Sequence, residues 1–183
     1  PEDSLLSLTI RKQGAFTSAI PDLKPGTPLK CMGPFGFFCK DIDSKPSIVM
    51  MAGGVGVTPF LSVLRHFKNT NSRNNVALFW VNKTIEEVFR LDEINEMTQN
   101  LDLTVVHCLS RENDAQRYFK PLFGRVRYET GRLSADILKR HGVTKDAAFY
   151  LCGPPPMMES ALKQLGVLQV DQSAVAQESF TRQ

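Results

Sequence analysis

Two short loops hold most of the residues in this chain whose type and spacing suit chemistry. The first is Gly53-Gly54-Val55-Gly56-Val57-Thr58-Pro59, directly after the apolar run SIVMMAGG. Glycines let a backbone turn sharply and approach a pyrophosphate, and the start of a helix offers unpaired N–H groups and the positive end of its dipole. Pro59 suits the first turn of that helix, where a missing N–H costs nothing. Thr58 is placed as its N-cap, with a hydroxyl that can also face a ligand. The pattern is neither G-x-G-x-x-G nor a phosphate loop ending in G-K-[ST]. Taken alone, GGVG is also an ordinary tight turn from strand to helix.

The second loop, Tyr150-Leu151-Cys152-Gly153-Pro154-Pro155-Pro156-Met157-Met158, ends another apolar run, AAFYLCG. It sets a thiol at the carboxyl edge of a strand. A lone cysteine in such a place is usually a buried packing residue, but two loops of this kind at matching strand ends make a more specific pattern. The other reactive types add little. Cys31, Cys39, Cys108 and Cys152 are too widely spaced for a zinc or iron–sulfur site. His66, His107 and His141 show no partner spacing that marks an acid, base or ligand.

The elements that must position these loops follow from periodicity. SIVMMAGG, NVALFWV, LDLTVVHCL and AAFYLCG are continuous apolar runs, the mark of strands buried on both faces. SAVAQESF supplies a fifth, terminal strand. Helical spacing lies between them: TPFLSVLRHFKN with Phe60, Val63, Leu64 and Phe67 on one face, and TIEEVFRLDEINEMTQN with Val88, Leu91, Ile94 and Met97. SADILKRHG is closed by Gly142 and PPMMESALKQLG by Gly166. Alternation of this kind predicts an α/β fold with a doubly wound, parallel, five-stranded sheet and ligands at the carboxyl ends of its strands. Upstream the texture differs. LLSLTIRK (5–12) and PLKCM (28–32) read as short strands, with GAFTSAI a turn into a short helix between them. The boundary falls near Asp43–Pro46, giving a first part over 1–45 and a second over 46–183.

The bulk numbers set bounds. The chain has 183 residues, 42% hydrophobic and 22% charged, which fits a packed core rather than disorder. A net charge of +3 gives no reason to expect nucleic acid or an anionic membrane as partner. No apolar run approaches the ~20 residues of a transmembrane helix, and PEDSLLSLTI has no signal-peptide character. With four unpaired-looking cysteines, the expected place is cytoplasmic, or the cytoplasmic face of a membrane as part of a larger protein.

GGVGVTPFLSVLRH and YLCGPPPMM together resemble the paired signatures of the ferredoxin–NADP reductase superfamily. The resemblance implies that Gly54, Gly56, Val57, Thr58 and Pro59 contact the pyridine nucleotide. It implies also that Cys152, Gly153, Pro154 and Met157 shape the nicotinamide pocket. Gly14-Ala15-Phe16-Thr17-Ser18 resembles that family's flavin-pyrophosphate turn, which assigns Gly14, Thr17 and Ser18 to FAD. Met32-Gly33-Pro34-Phe35-Gly36 resembles the loop closing an antiparallel flavin barrel, of which 1–45 would be the C-terminal part. Glu178-Ser179-Phe180 resembles the terminal Glu-x-aromatic, whose ring stacks on the flavin; a core aromatic of the last strand is the other reading of Phe180. Ser110, Arg111 and Tyr118 echo the phosphate and adenine contacts of NADPH-selective members, since an Arg fork suits a 2′-phosphate. Gln116 stands where those members carry a lysine, with Arg117 displaced by one, and loop arginines are often merely solvated. The lean is to NADPH over NADH. Gly124-Arg125 and Gly131-Arg132 read as turns.

The resemblance departs at the front. The family's Arg-x-Tyr/Phe-Ser flavin motif would precede Pro1, so the chain as given is expected to hold FAD weakly. The implied function is an FAD-dependent NAD(P)H oxidoreductase domain that passes electrons to a separate acceptor: ferredoxin, haem or an oxygenase component. The alternative is a nucleotide-binding or interaction module of a larger complex, without flavin catalysis. A dehydrogenase acting directly on a small substrate fits poorly, because no proton-relaying His, Lys or Tyr is placed for it.

Overall fold

A computed structural model of the chain describes residues 5–33 and 35–180. The chain divides into two compact units, one ending at Phe37 and the other starting at Phe38.

In the first unit a short helix, α1 (Gly14–Ala19), forms where the sequence suggested one. The expected strands do not: 5–12 and 28–32 contain no strand pairing among the described residues. A strand needs a neighbour for its N–H and C=O groups and a face for its apolar side chains. The described residues of the unit supply neither, and Leu5, Leu6 and Leu8 stand exposed at 83%, 78% and 64%.

The second unit is built on one parallel sheet of six strands: β1 (Ser47–Gly53), β2 (Asn75–Asn82), β3 (Leu103–Leu109), β4 (Val126–Thr130), β5 (Ala148–Cys152) and β6 (Ala176–Glu178). Their order is β4-β3-β2-β1-β5-β6. The chain starts in the middle, walks outward to β4, then crosses back to β5. With right-handed crossovers, the helices of the outward walk and those from the crossing back onward lie on opposite faces. Helices α2 (Thr58–Asn69) and α3 (Leu91–Asn100) cover one face through Phe60, Leu64, Phe67, Ile94 and Met97. Helices α4 (Ala135–Arg140) and α5 (Pro155–Val167) cover the other through Ile137, Leu138, Met158 and Leu165. Burial on both faces explains the unbroken apolar runs: Met50 and Met51, neighbours in β1, are both fully enclosed on opposite sides. Each side chain buried this way stabilises the fold by about 2 kcal/mol of transfer free energy.

Three details differ from the sequence expectation. A sixth strand, β4, lies at the edge between the two Gly-Arg turns. The segment 84–100 is not one helix but a 3-10 turn (Ile85–Glu87) followed by α3, with Arg90 left-handed at φ 57° between them. Packing wins over local periodicity here: the break sends Phe89 edge-on to Trp80 at 5.2 Å and lets Val88 reach the core. Finally, α5 runs through Gly166 to Val167, and Gln169 at φ 60° makes the turn instead. Gly142, at φ 75°, closes α4 as expected, and Ser134 caps its start by accepting from the Ile137 N–H. A bidentate pair, Arg65 to Glu93 at 2.6 and 3.0 Å, ties α2 to α3.

Candidate functional site

The order of the sheet reverses between β1 and β5, the kind of place where open α/β sheets bind ligands. The two strands run parallel with Ala52 paired to Cys152, so both sequence-predicted loops leave the sheet side by side. Glycines allow the loops to touch through their backbones. A Cβ on Gly56 would stand 2.3 Å from the Cys152 carbonyl oxygen, and one on Gly153 would stand 3.0 Å from the Gly53 nitrogen. Gly53 is further closed in by Met157 and Pro154, where a Cβ would meet carbons at 2.6 and 2.8 Å. Gly54 differs: at φ 51° it needs glycine for its turn, yet the space beside it is open.

The stretch Gly54–Val57 forms a 3-10 turn that leads into α2. The hydroxyl of Thr58 donates to the Val55 carbonyl at 3.0 Å. That corrects one expectation, because Val57 occupies the N-cap and Thr58 is the first residue of the helix. The short turn already uses the Val55 carbonyl as its closing acceptor, which draws the hydroxyl inward. Pro59 sits in the first turn, as its ring geometry favours. The Gly54 carbonyl accepts a hydrogen bond from the Trp80 indole at 2.9 Å.

Cys152 is fully buried. Burial pushes its thiol up to about 12, helped by Glu178 and Cys39. Glu178 is its register partner on β6. Cys39 is likewise pushed up to about 11, by burial and then by Glu178. A thiol held neutral in this way is no nucleophile; it contributes size and polarisability at the strand end. Pro154 precedes α5 and Met157 lies in its first turn, with its Cε against both Gly53 and Gly153. Phe180 lies beyond the end of β6 and is 56% exposed, so it is not a core aromatic.

The polar candidates after β3 sit at the carboxyl ends of β2 and β3. The backbone N–H and the hydroxyl of Ser110 both donate to the Asn82 carbonyl, at 3.0 and 3.3 Å. Arg111 is exposed, its own N–H bonded to the Lys83 carbonyl at 2.8 Å. Tyr118 is half-buried against Tyr128. Arg117 lies over the Tyr118 ring at 4.7 Å, and donates to its hydroxyl at 2.5 Å and to Glu112 at 2.9 Å. Gln116 turns its amide to the Tyr128 carbonyl, so it braces the loop.

In the first unit, Gly14 takes φ 82° at the start of α1. The Thr17 hydroxyl closes its own turn, donating to the Gln13 carbonyl and accepting from the Gln13 N–H, each at 2.6 Å. Ser18 is half-buried. In the loop 32–36, Gly33 and Gly36 have positive φ, and Pro34 lies outside the described residues.

A family model for the oxidoreductase NAD-binding domain matches residues 50–163, from within β1 to within α5 and across both loops. This chain belongs to that family. The oxidoreductase NAD-binding domain here is similar in sequence to the reductase component of propane 2-monooxygenase from Rhodococcus jostii (strain RHA1). The two are 31% identical over 170 residues, covering 92% of this chain and 45% of the relative. The chain thus spans about half the length of the curated relatives it matches. Among solved structures, the fold is shared with a flavohemoglobin from Malassezia yamatoensis with bound FAD and heme, at TM-score 0.70 and 17% identity, covering 95% of this chain and 43% of that one. It is shared too with a ferredoxin NADP+ reductase from Neisseria gonorrhoeae with bound FAD and NADP, at TM-score 0.66 and 16% identity, covering 93% and 72%.

Three features of the domain are not legible in the sequence. Trp80 reads as one more core aromatic until its indole is seen on the glycine loop 26 positions away. Asn82 and His107 are buried beside it in β2 and β3, and the Asn82 amide and both His107 ring nitrogens have no hydrogen-bond partner among the described residues. Cys39 reaches the neighbourhood of Cys152 from outside the sheet. No helix among the described residues is long and apolar enough to cross a membrane.

Proposed function

We propose that this chain is the nicotinamide-binding part of an FAD-dependent NAD(P)H oxidoreductase whose electrons go to a separate acceptor component. The observation that carries this reading is the backbone contact between Gly56 and Cys152 at the point where strand order reverses. It builds one crevice from two loops, as a dinucleotide requires. The reductase relative and the flavin-bearing structures with this fold support the reading.

In this reading the turn Gly54–Val57 and the start of α2 hold the pyrophosphate, through backbone amides that no side chain shields at Gly54. Cys152, Gly153, Pro154 and Met157 form the wall against which the nicotinamide lies flat. The neutral Cys152 thiol adds no charge there. Phe180 offers an exposed ring past the last strand. Gly14, Thr17 and Ser18 are proposed for the FAD pyrophosphate, and Arg111 with Tyr118 for the adenosine end of NADPH. When bound, the nicotinamide supplies a hydride and the flavin takes it up and releases electrons to the acceptor. No protein acid or base is needed for that chemistry, so the chain's work is to orient and to keep water out.

The test is direct. The chain is titrated with NADH and NADPH by calorimetry, and a longer chain that carries the upstream barrel is assayed for dye reduction. Saturable nucleotide binding by the first and turnover by the flavin-loaded second are the expected results. A fully flavinated longer chain that reduces no dye with either nucleotide would sink the enzyme reading.

A further inference from the structure

We infer that Trp80 is a positioning residue for the nucleotide, setting the direction of the Val55 amide that meets the pyrophosphate; the inference rests on the nucleotide reading above. Trp80 is the chain's only tryptophan and is completely buried in β2. Its indole N–H has one direction in which to donate, and it donates to the Gly54 carbonyl at 2.9 Å. In a planar trans peptide the C=O and the N–H of the following residue point opposite ways. A Gly54 carbonyl drawn into the core therefore turns the Val55 N–H outward. The next peptide is fixed from the other side, since the Val55 carbonyl accepts from both the hydroxyl and the backbone N–H of Thr58. That holds the turn from its other end, with Gly56 buried inside it. The Val55 donor is thus aimed by the bond made to the carbonyl behind it.

The indole is itself held firmly. Phe89 meets it edge-on at 5.2 Å and 87°, and His107 lies 5.7 Å away on β3. His107 stacks on Tyr128 at 5.1 Å and 22°, and Tyr128 neighbours Tyr118 at 5.9 Å. A continuous row of rings therefore runs under the carboxyl ends of β2, β3 and β4, from the glycine loop to the proposed adenine contact. Trp80 fixes the loop relative to that row, and so relative to the far end of the nucleotide.

Because the tryptophan is unique, it can be replaced throughout by biosynthetic incorporation. β-(3-Benzothienyl)alanine keeps the ring size but puts sulfur where the N–H was; 7-azatryptophan keeps the N–H. The full chain carrying each is titrated with NADH and NADPH by calorimetry, with amide hydrogen exchange read at 54–57. The benzothienyl chain is expected to bind about three- to tenfold more weakly, the loss of one hydrogen bond, and to exchange its loop amides faster. The aza chain is expected to retain the parent Kd. Trp80→Phe, checked for fold by circular dichroism, gives the genetically encoded version. A benzothienyl chain that melts earlier yet binds with the parent Kd would show a structural bond only and overturn the role of Trp80. If the parent chain binds neither nucleotide, the nucleotide reading falls first and this inference falls with it.

Discussion

Gly56 rests on the main chain of Cys152, with space for a Cβ only 2.3 Å from the carbonyl oxygen and 2.7 Å from the carbonyl carbon. The obstacle is backbone in a central strand and cannot swing aside. Gly56→Ala must therefore push the glycine loop off the end of β5, at a cost of about 3 kcal/mol or more. Gly54→Ala meets no atom of the described residues, and its cost is the left-handed φ of 51°, on the order of 1 kcal/mol. We expect urea midpoints to fall in that order, and nucleotide binding to be lost in the Gly56 variant. Equal midpoints would show that the two loops are not in contact.

The two loops were legible in the sequence because glycine and proline punctuation is local: Gly53 to Pro59 announces its own turn, and Gly153 to Pro156 does the same. Burial on two faces wrote β1, β2, β3 and β5 as plain apolar runs. What stayed hidden depends on distant partners. The strand Val126–Thr130, VRYET, is short, partly polar and at the sheet edge, so only its pairing with β3 declares it. The break at Val88–Arg90 is invisible because helical spacing continues on both sides of it, and the Phe89–Trp80 contact decides the matter. The apolar alternation of 5–12 was visible, but alternation makes a strand only where a neighbour accepts its hydrogen bonds.

Arg111 and Arg117 separate two ways of reading the same loop. Arg117 is already engaged by Glu112 and by the Tyr118 hydroxyl, whose hydrogen bond raises its pKa further. Both side chains are exposed, and Arg111 has no such ion pair among the described residues. If the adenosine end of NADPH lies here, Arg111→Gln should weaken NADPH binding by about tenfold or more, as loss of a charge-assisted phosphate contact does, and leave NADH unchanged. Arg117→Gln should disturb both nucleotides alike through Tyr118. Equal losses for NADH and NADPH in the Arg111 variant would remove the 2′-phosphate from this loop.

The cysteines should label in a fixed sequence. Cys31 is exposed, whereas Cys108 and Cys152 are buried with thiols pushed up to about 12. Since the thiolate is the reactive form, an aromatic disulfide reagent near pH 8 should take one equivalent rapidly, at Cys31. Cys39, half-buried and raised to about 11, should follow slowly. Mass mapping of the modified peptides checks the order. Fast labelling of Cys152 would mean that its thiol is open and ionisable, against a purely packing role.

His107 makes stability depend on pH in a direction that can be worked out. It is fully buried in β3 between Trp80 and Tyr128, with neither ring nitrogen hydrogen-bonded among the described residues. Burial lowers its pKa to about 4, against ~6.5 in an unfolded chain. Between those values the unfolded chain binds a proton that the folded chain refuses. Stability from this group is therefore complete above about pH 6.5 and drains away as the pH falls toward 4, by up to about 3 kcal/mol. His107→Phe keeps a flat ring in the stack and removes two buried polar atoms that lack partners, a change that costs little and can stabilise. We expect the Phe variant to melt above the parent near pH 5, with the gap narrowing toward pH 8. Melting curves in which parent and variant keep a constant separation across that range would show that His107 is hydrated in the fold and titrates as an ordinary histidine.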